Sequence, residues 1–158
     1  MFGQQSEIST NITKINASLN EIEDVLLKIP PLVKAAQSSK SKEQINEYVT
    51  KINAHADKAQ ELVKKAENDA DIAEKSARDI NCYSAASEAD DGEDYCRHMK
   101  YYTFEIKIYA QKALKESELS YSKNYLGKIS GYIEDSYESL KNARTEFEDC
   151  LKDLQNCN

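Results

Sequence analysis

Residues 41–80, SKEQINEYVTKINAHADKAQELVKKAENDADIAEKSARDI, decide the fold. Apolar side chains recur there at intervals of three and four: Ile45, Val49, Ile52, Ala56, Ala59, Val63, Ala66, Ala70, Ala73, Ala77 and Ile80. That rhythm belongs to one face of an α-helix and not to a strand. Ser41 stands where an N-cap is expected, with Gln44 three residues on as the reciprocal partner of a capping box. A straight helix over 41–81 is on the order of 60 Å long. Its first half has Ile and Val on the seam, its second half almost only Ala. An alanine seam lets a neighbour come close but buries little area per turn, so cross-links would be useful at that end.

Upstream, Ile8, Ile12, Ile15, Leu19, Ile22, Leu26 and Ile29 make an unbroken heptad seam that predicts a first helix over 6–29. Pro30-Pro31 should stop it, because Pro31 pushes Pro30 out of the α region. A short helical turn over 32–37 then leads through Ser38-Ser-Lys-Ser41.

Downstream, residues 81–94 interrupt the pattern, and Glu88-Ala-Asp-Asp-Gly-Glu-Asp94 reads as an acidic loop whose last carboxylates suit the N-terminus of a following helix. That third helix, 94–118, carries Met99, Tyr102, Ile106, Tyr109 and Ala113 at heptad spacing. A turn near 117–124 precedes the last helix, 124–157, with Leu126, Ile129, Ile133, Leu140, Ala143, Phe147, Cys150, Leu154 and Cys157 on one face. Four helices with short connections give an all-α, elongated up-down-up-down bundle, one domain over 1–158.

All four cysteines fit that topology. Helix two ends at Cys82, helix three starts at Cys96 and helix four closes with Cys150 and Cys157, and in an antiparallel bundle these termini share one end. Positions 150 and 157 lie about 10 Å apart along a continuous helix, too far to bond to each other. Each is then expected to reach back to Cys82 or Cys96. Two pairings stay open, as does Cys82–Cys96 with Cys150–Cys157 if the last helix frays. The C-x2-4-C spacing of structural zinc sites and the C-x-x-C of redox sites are both missing.

The composition restricts function further. The net charge is −7 and only Arg78, Arg97 and Arg144 are arginines, which disfavours nucleic acid and anionic membranes as partners. No apolar run approaches the roughly 20 residues that cross a bilayer. The even cysteine count and the sequons at Asn11 and Asn16, candidate glycosylation sites, favour a mature secreted, extracellular chain with Met1 added for expression. His55 and His98 lie in different helices without metal-ligand spacing, no nucleophile elbow or phosphate loop occurs, and the carboxylates alternate with lysines as on a solvated surface. The chain therefore reads as a non-enzyme without metal or cofactor. A calcium site in the acidic loop would need the D-x-D-x-D-G order that is missing there.

Tyrosine is the suggestive bias. Nine of the 10 tyrosines fall between Tyr83 and Tyr137. Tyr102 and Tyr109 belong to the seam, whereas Tyr101, Tyr121, Tyr125 and Tyr132 lie off it among Ser120, Ser122, Ser130, Gly127 and Gly131. Tyr, Ser and Gly together suit an adaptable protein-binding surface, and equally Tyr125 and Tyr132 could pack against a neighbouring helix. Two other readings compete: a small apolar ligand held among Tyr102, Tyr109, Ile106 and Ile129, and a structural coiled-coil spacer that self-associates through the Ile seam of helix one. The expected state is a monomer or weak dimer.

From Cys82-Tyr83-Ser84 to Cys157 the chain resembles secreted helical proteins of blood-feeding flies, such as the tsetse midgut EP type and some salivary proteins, in pairing a helical domain with sparse, late cysteines. The resemblance implies a secreted protein, without catalytic residues, that acts on host or microbial partners and modulates host defence or immunity. The expected function is thus non-enzymatic binding of another protein.

Overall fold

The computed structural model describes residues 2–157 and consists of helices and short turns: α1 (Phe2–Leu26), α2 (Ile29–Ser38), α3 (Lys42–Asp79), α4 (Tyr83–Lys115) and α5 (Leu119–Asn156). Together they make four long rods, the first of which is broken into α1 and α2. α3 packs between the first rod and α4, α4 between α3 and α5, and α5 closes back on α1 and α2. Gln5 at the start of α1 donates to the Cys157 carbonyl at 2.9 Å, and Arg144 of α5 reaches Glu23 of α1 at 2.6 Å. These contacts run α1 antiparallel to α5, as an up-down-up-down bundle requires.

The break in the first rod corrects one expectation. The prolines do not follow the helix; they sit in the first turn of α2, where a missing N–H costs nothing. In a continuous helix Pro30 would remove the bond to the Leu26 carbonyl and clash with it, and α1 ends at Leu26. The seam from Ile8 to Ile29 is fully buried inside the single chain. It faces α3 and α5 and is not available for the self-association that a coiled-coil spacer would use.

The second correction concerns residues 81–94. The turn between α3 and α4 takes only Ile80–Cys82, and α4 runs straight through the acidic segment. Asn81 adopts a left-handed φ of 60°, the Cys82 N–H bonds to the Ala77 carbonyl and the Asn81 N–H to that of Arg78, both at 2.9 Å. This is a Schellman closure with Asn in the role more often filled by Gly. Beyond it Ala85, Ala86, Ala89, Gly92, Glu93 and Cys96 are buried at helical spacing. Small residues, together with Glu93, therefore carry the core face of this acidic stretch.

At the other end, α4 stops at Lys115 and α5 starts at Leu119, a tighter turn than expected. Lys42 of α3 fastens it. Its ammonium donates to the Ala113 carbonyl and to Ser122 Oγ, and Ser122, fully buried, donates to Ala113 as well at 3.1 Å. A cation is favourably placed at the C-terminal carbonyls of α4; burial, partly opposed by Glu116, holds the Lys42 pKa below its usual range. Ser41 caps α3 as expected, accepting from the Gln44 N–H, whereas the Gln44 side chain returns to the Lys40 N–H one residue before the cap.

The cysteines split into two kinds. Cys82 and Cys157 form a disulfide that ties the α3–α4 turn to the end of α5, with Cα atoms 5.6 Å apart. Cys96 and Cys150, expected to be bridged, are buried thiols. Register explains this. The bond sets Cys82 opposite Cys157, and a Cβ on Gly92 would meet the Phe147 ring, so α4 and α5 run past one another with 92 beside 147. Cys96 then lies level with Ala143, a full seven residues, or about 10 Å, from Cys150. Burial first, and then Glu67 and Glu93, push the Cys96 thiol up to about 12; burial, Asp153 and Glu88 do the same to Cys150. Neither thiol is poised for chemistry.

Candidate functional site

The antiparallel register of α4 and α5 brings most of the tyrosines together. On α4, Tyr102 and Tyr109 are seven residues apart and flank the buried line of Met99, Ile106 and Ala113. On α5, Tyr125 and Tyr132 have the same spacing and lean toward α4. Tyr132 inserts between the two α4 rings, stacked on Tyr109 with centroids 5.7 Å apart and tilted toward Tyr102 at 6.4 Å. Tyr125 lies 6.2 Å from Tyr109, and Tyr101 meets Tyr102 edge-on at 5.5 Å. Five rings thus form one connected ladder along the outer α4–α5 groove, in the offset and edge-on geometries aromatic pairs prefer. Contact with these rings desolvates the Tyr132 phenol and raises its pKa, with the Tyr109 and Glu105 environment adding to the effect.

The ladder joins three of the four tyrosines singled out, Tyr101, Tyr125 and Tyr132, and adds Tyr102 and Tyr109. Tyr121 is not stacked on it but stands one turn before Tyr125 on α5, 54% exposed. Tyr101, at 55%, and Phe104, at 46%, project from the outer ridge of α4. Lys112 lies over the Tyr109 ring, 4.4 Å from its centroid, and closes one end with positive charge. Ile106 and Ile129, proposed with Tyr102 and Tyr109 to line an apolar ligand, are fully buried seam residues, and the two tyrosines are occupied with Tyr132.

Of the two sequon asparagines, Asn16 is half-exposed and Asn11 is buried at 7%. A glycan on Asn11 is incompatible with this packing. His55 is partly buried, and burial, then Lys28, hold its pKa down; His98 is exposed.

The acidic segment contributes two carboxylate clusters on helices, Asp71 with Glu74 and Glu93, and Glu88 with Asp91 and Glu146. In the first, Arg78 pairs with Glu74 at 2.6 Å and Arg97 with Glu93 at 2.5 Å. The second takes part in no ion pair among the described residues. Burial first, then contact with Glu88, and then Asp91 and Asp149 push the Glu146 carboxyl up to about 7. A raised folded-state pKa means that the folded chain holds the proton more tightly than the unfolded one. The stabilisation from Glu146 is complete below its ordinary value of 4.5 and is lost as the pH rises through about 7. Urea midpoints should therefore be higher at about pH 5 than at about pH 8, and Glu146→Gln should shrink that difference. An undiminished difference in the variant would place the pH dependence elsewhere. The clustering was not legible in the sequence, because it needs α5 laid against α4.

No known protein family, curated protein or solved structure matches the chain.

Proposed function

We propose that this chain is a secreted, disulfide-bonded helical protein that acts by binding another protein through the tyrosine ladder of α4 and α5. One observation carries the reading. A connected line of five rings, edged by the exposed Tyr101, Tyr121 and Phe104, lies on the outer α4–α5 groove with its inner edges packed on the core and its outer edges toward solvent. Rigid tyrosines offer large contact area at low entropic cost and a hydroxyl at the rim, the properties of a protein-recognition surface. The disulfide supports an oxidising compartment. The resemblance to secreted proteins of blood-feeding flies points to a host or microbial protein as the partner and to modulation of host defence as its consequence.

Fluorescently labelled protein applied to blood cells and to plasma proteins tests this. Tyr101→Ser with Tyr121→Ser, both exposed, should weaken any saturable binding at least roughly tenfold while leaving helicity and melting temperature unchanged. Binding that survives both substitutions and also Tyr132→Ala would sink the reading. The Tyr132 variant alone is expected to loosen the ladder as well, because Tyr132 stacks between Tyr102 and Tyr109.

A further inference from the structure

At the end of the ladder away from Lys112 a second feature opens between α4 and α5. Tyr95, His98 and Tyr102 stand at i, i+3 and i+7 on one face of α4, and opposite them α5 presents Asp135, Glu138, Ser139 and Asn142. Together they line a groove of about 210 Å³. Tyr95 and His98 meet edge-on at 6.0 Å, which fixes one side, and the tilted packing of Tyr102 against Tyr132 at 6.4 Å fixes the other. No lysine or arginine lines it. Asp135 and Glu138 take part in no ion pair among the described residues, although eleven such pairs tie up acids elsewhere on the bundle. The nearest basic side chains on α4 are engaged on its far flank, where Lys100 and Arg97 reach Glu67 of α3.

We propose that this groove is a binding site for a small organic cation, an alkylammonium or guanidinium group, held between the rings of Tyr95 and Tyr102 and the carboxylates of Asp135 and Glu138. The chemistry is complementary in both parts. Aromatic rings attract a cation through their quadrupoles, and two unpaired carboxylates on one rim supply the charge that a solvated ammonium gives up water to meet. Ser139 and Asn142 add neutral acceptors for the N–H groups of a primary amine or guanidinium. The volume suits a head group of a few heavy atoms and not a whole drug-sized ligand. Such a cation comes either as a free amine or as the lysine or arginine side chain of a protein. The site stands whether or not the tyrosine ladder binds a partner, since a soluble cation would occupy the groove by itself.

Titrating the full chain in mildly alkaline buffer, followed by amide NMR, distinguishes these cases. The probes are choline, N-acetyl-lysine methylamide, and dimethylbutanol as the uncharged carbon isostere of choline. Either cation should give saturable shifts centred on Tyr95, Tyr102, Asp135 and Ser139, with a Kd on the order of millimolar. Tighter binding of choline indicates a free amine, and tighter binding of the lysine analogue a side chain of a partner. Asp135→Asn with Glu138→Gln, two exposed and isosteric changes, should weaken either roughly tenfold without affecting the fold. Equal shifts from the neutral isostere, shifts centred elsewhere, or affinity unchanged in the double variant would overturn the assignment.

Discussion

Replacing both Cys82 and Cys157 by Ala is expected to lower the unfolding free energy by about 4 kcal/mol and the melting temperature by roughly 10 °C, without loss of helix. The bond joins residues 75 apart in sequence, so in the unfolded chain it closes a loop that holds all of α4 and α5. Restricting so large a loop removes much of the entropy that unfolding would gain. The location adds to the effect. Near the bond α3 and α4 present to the core Ala70, Ala73, Ala77, Ala85, Ala86 and Ala89, whose methyl groups bury little area to hold the helices together. Chemical denaturation of the oxidised chain and the double variant measures the loss. Intact mass checks its premise: a denatured chain about 2 Da lighter before reduction contains the single Cys82–Cys157 bond. A difference of about 4 Da would mean that Cys96 and Cys150 also bond, which the present α4–α5 register forbids.

The bundle was legible because its seams are written at one period with few interruptions. Residues 41–80 predicted α3 nearly to the residue, since both its cap at Ser41 and its apolar rhythm are local signals. Where a local signal competed with a long-range one, the reading failed. The run Glu88–Asp94 looked like a loop because its carboxylates outnumber its apolar residues. What makes it helix is that Ala85, Ala89, Gly92 and Cys96 lie on one face against α3 and α5, small enough to escape notice as a seam. The prolines at 30 and 31 were identified as breakers, but the break falls one turn earlier, where Pro30 needs the carbonyl of Leu26 out of its way. The cysteine pairing depends on an offset of a few residues between α4 and α5, and no single helix records such an offset.

Of the site, the tyrosine bias was visible and its arrangement was not. Counting residues off the seam selected Tyr101, Tyr121, Tyr125 and Tyr132, yet the ladder needs Tyr102 and Tyr109, which had been given to the core. They are half-buried and serve both, with their inner edges on the seam and their faces toward Tyr132. The groove beside them was missed altogether. The spacing of Tyr95, His98 and Tyr102 at i, i+3 and i+7 is the available signal, but inside a helix over 94–118 it does not stand out from the apolar seam of Met99, Tyr102 and Ile106. The acidic half of that groove comes from α5 and is joined to the aromatic half only by packing.

Phe147→Ala is expected to cost about 4 kcal/mol, the largest loss from any single side chain in this bundle. Phe147 is the bulkiest of the fully buried residues, and the α4 residues at its level, Ala89, Gly92 and Cys96, are too small to move in and fill the space. Its ring lies on Gly92, where a Cβ would come within 2.6 Å of it. Glycine in mid-helix gives up about 1 kcal/mol of propensity relative to Ala, so the pairing of a large ring with a bare backbone has a packing cause. Gly92→Ala should regain that propensity and still lose stability, by about 1 kcal/mol or more, because the ring has no room to retreat. Combining it with Phe147→Leu should destabilise by less than the sum of the two single changes, since the shorter side chain admits the methyl group. Strict additivity would mean that the ring is not wedged against α4. The same contact reaches the candidate site, because the height of α4 against α5 is what seats Tyr132 between Tyr102 and Tyr109. In Gly92→Ala the near-ultraviolet dichroism of the stacked tyrosines should therefore weaken well below the melting temperature, a change that a purely local clash would not produce.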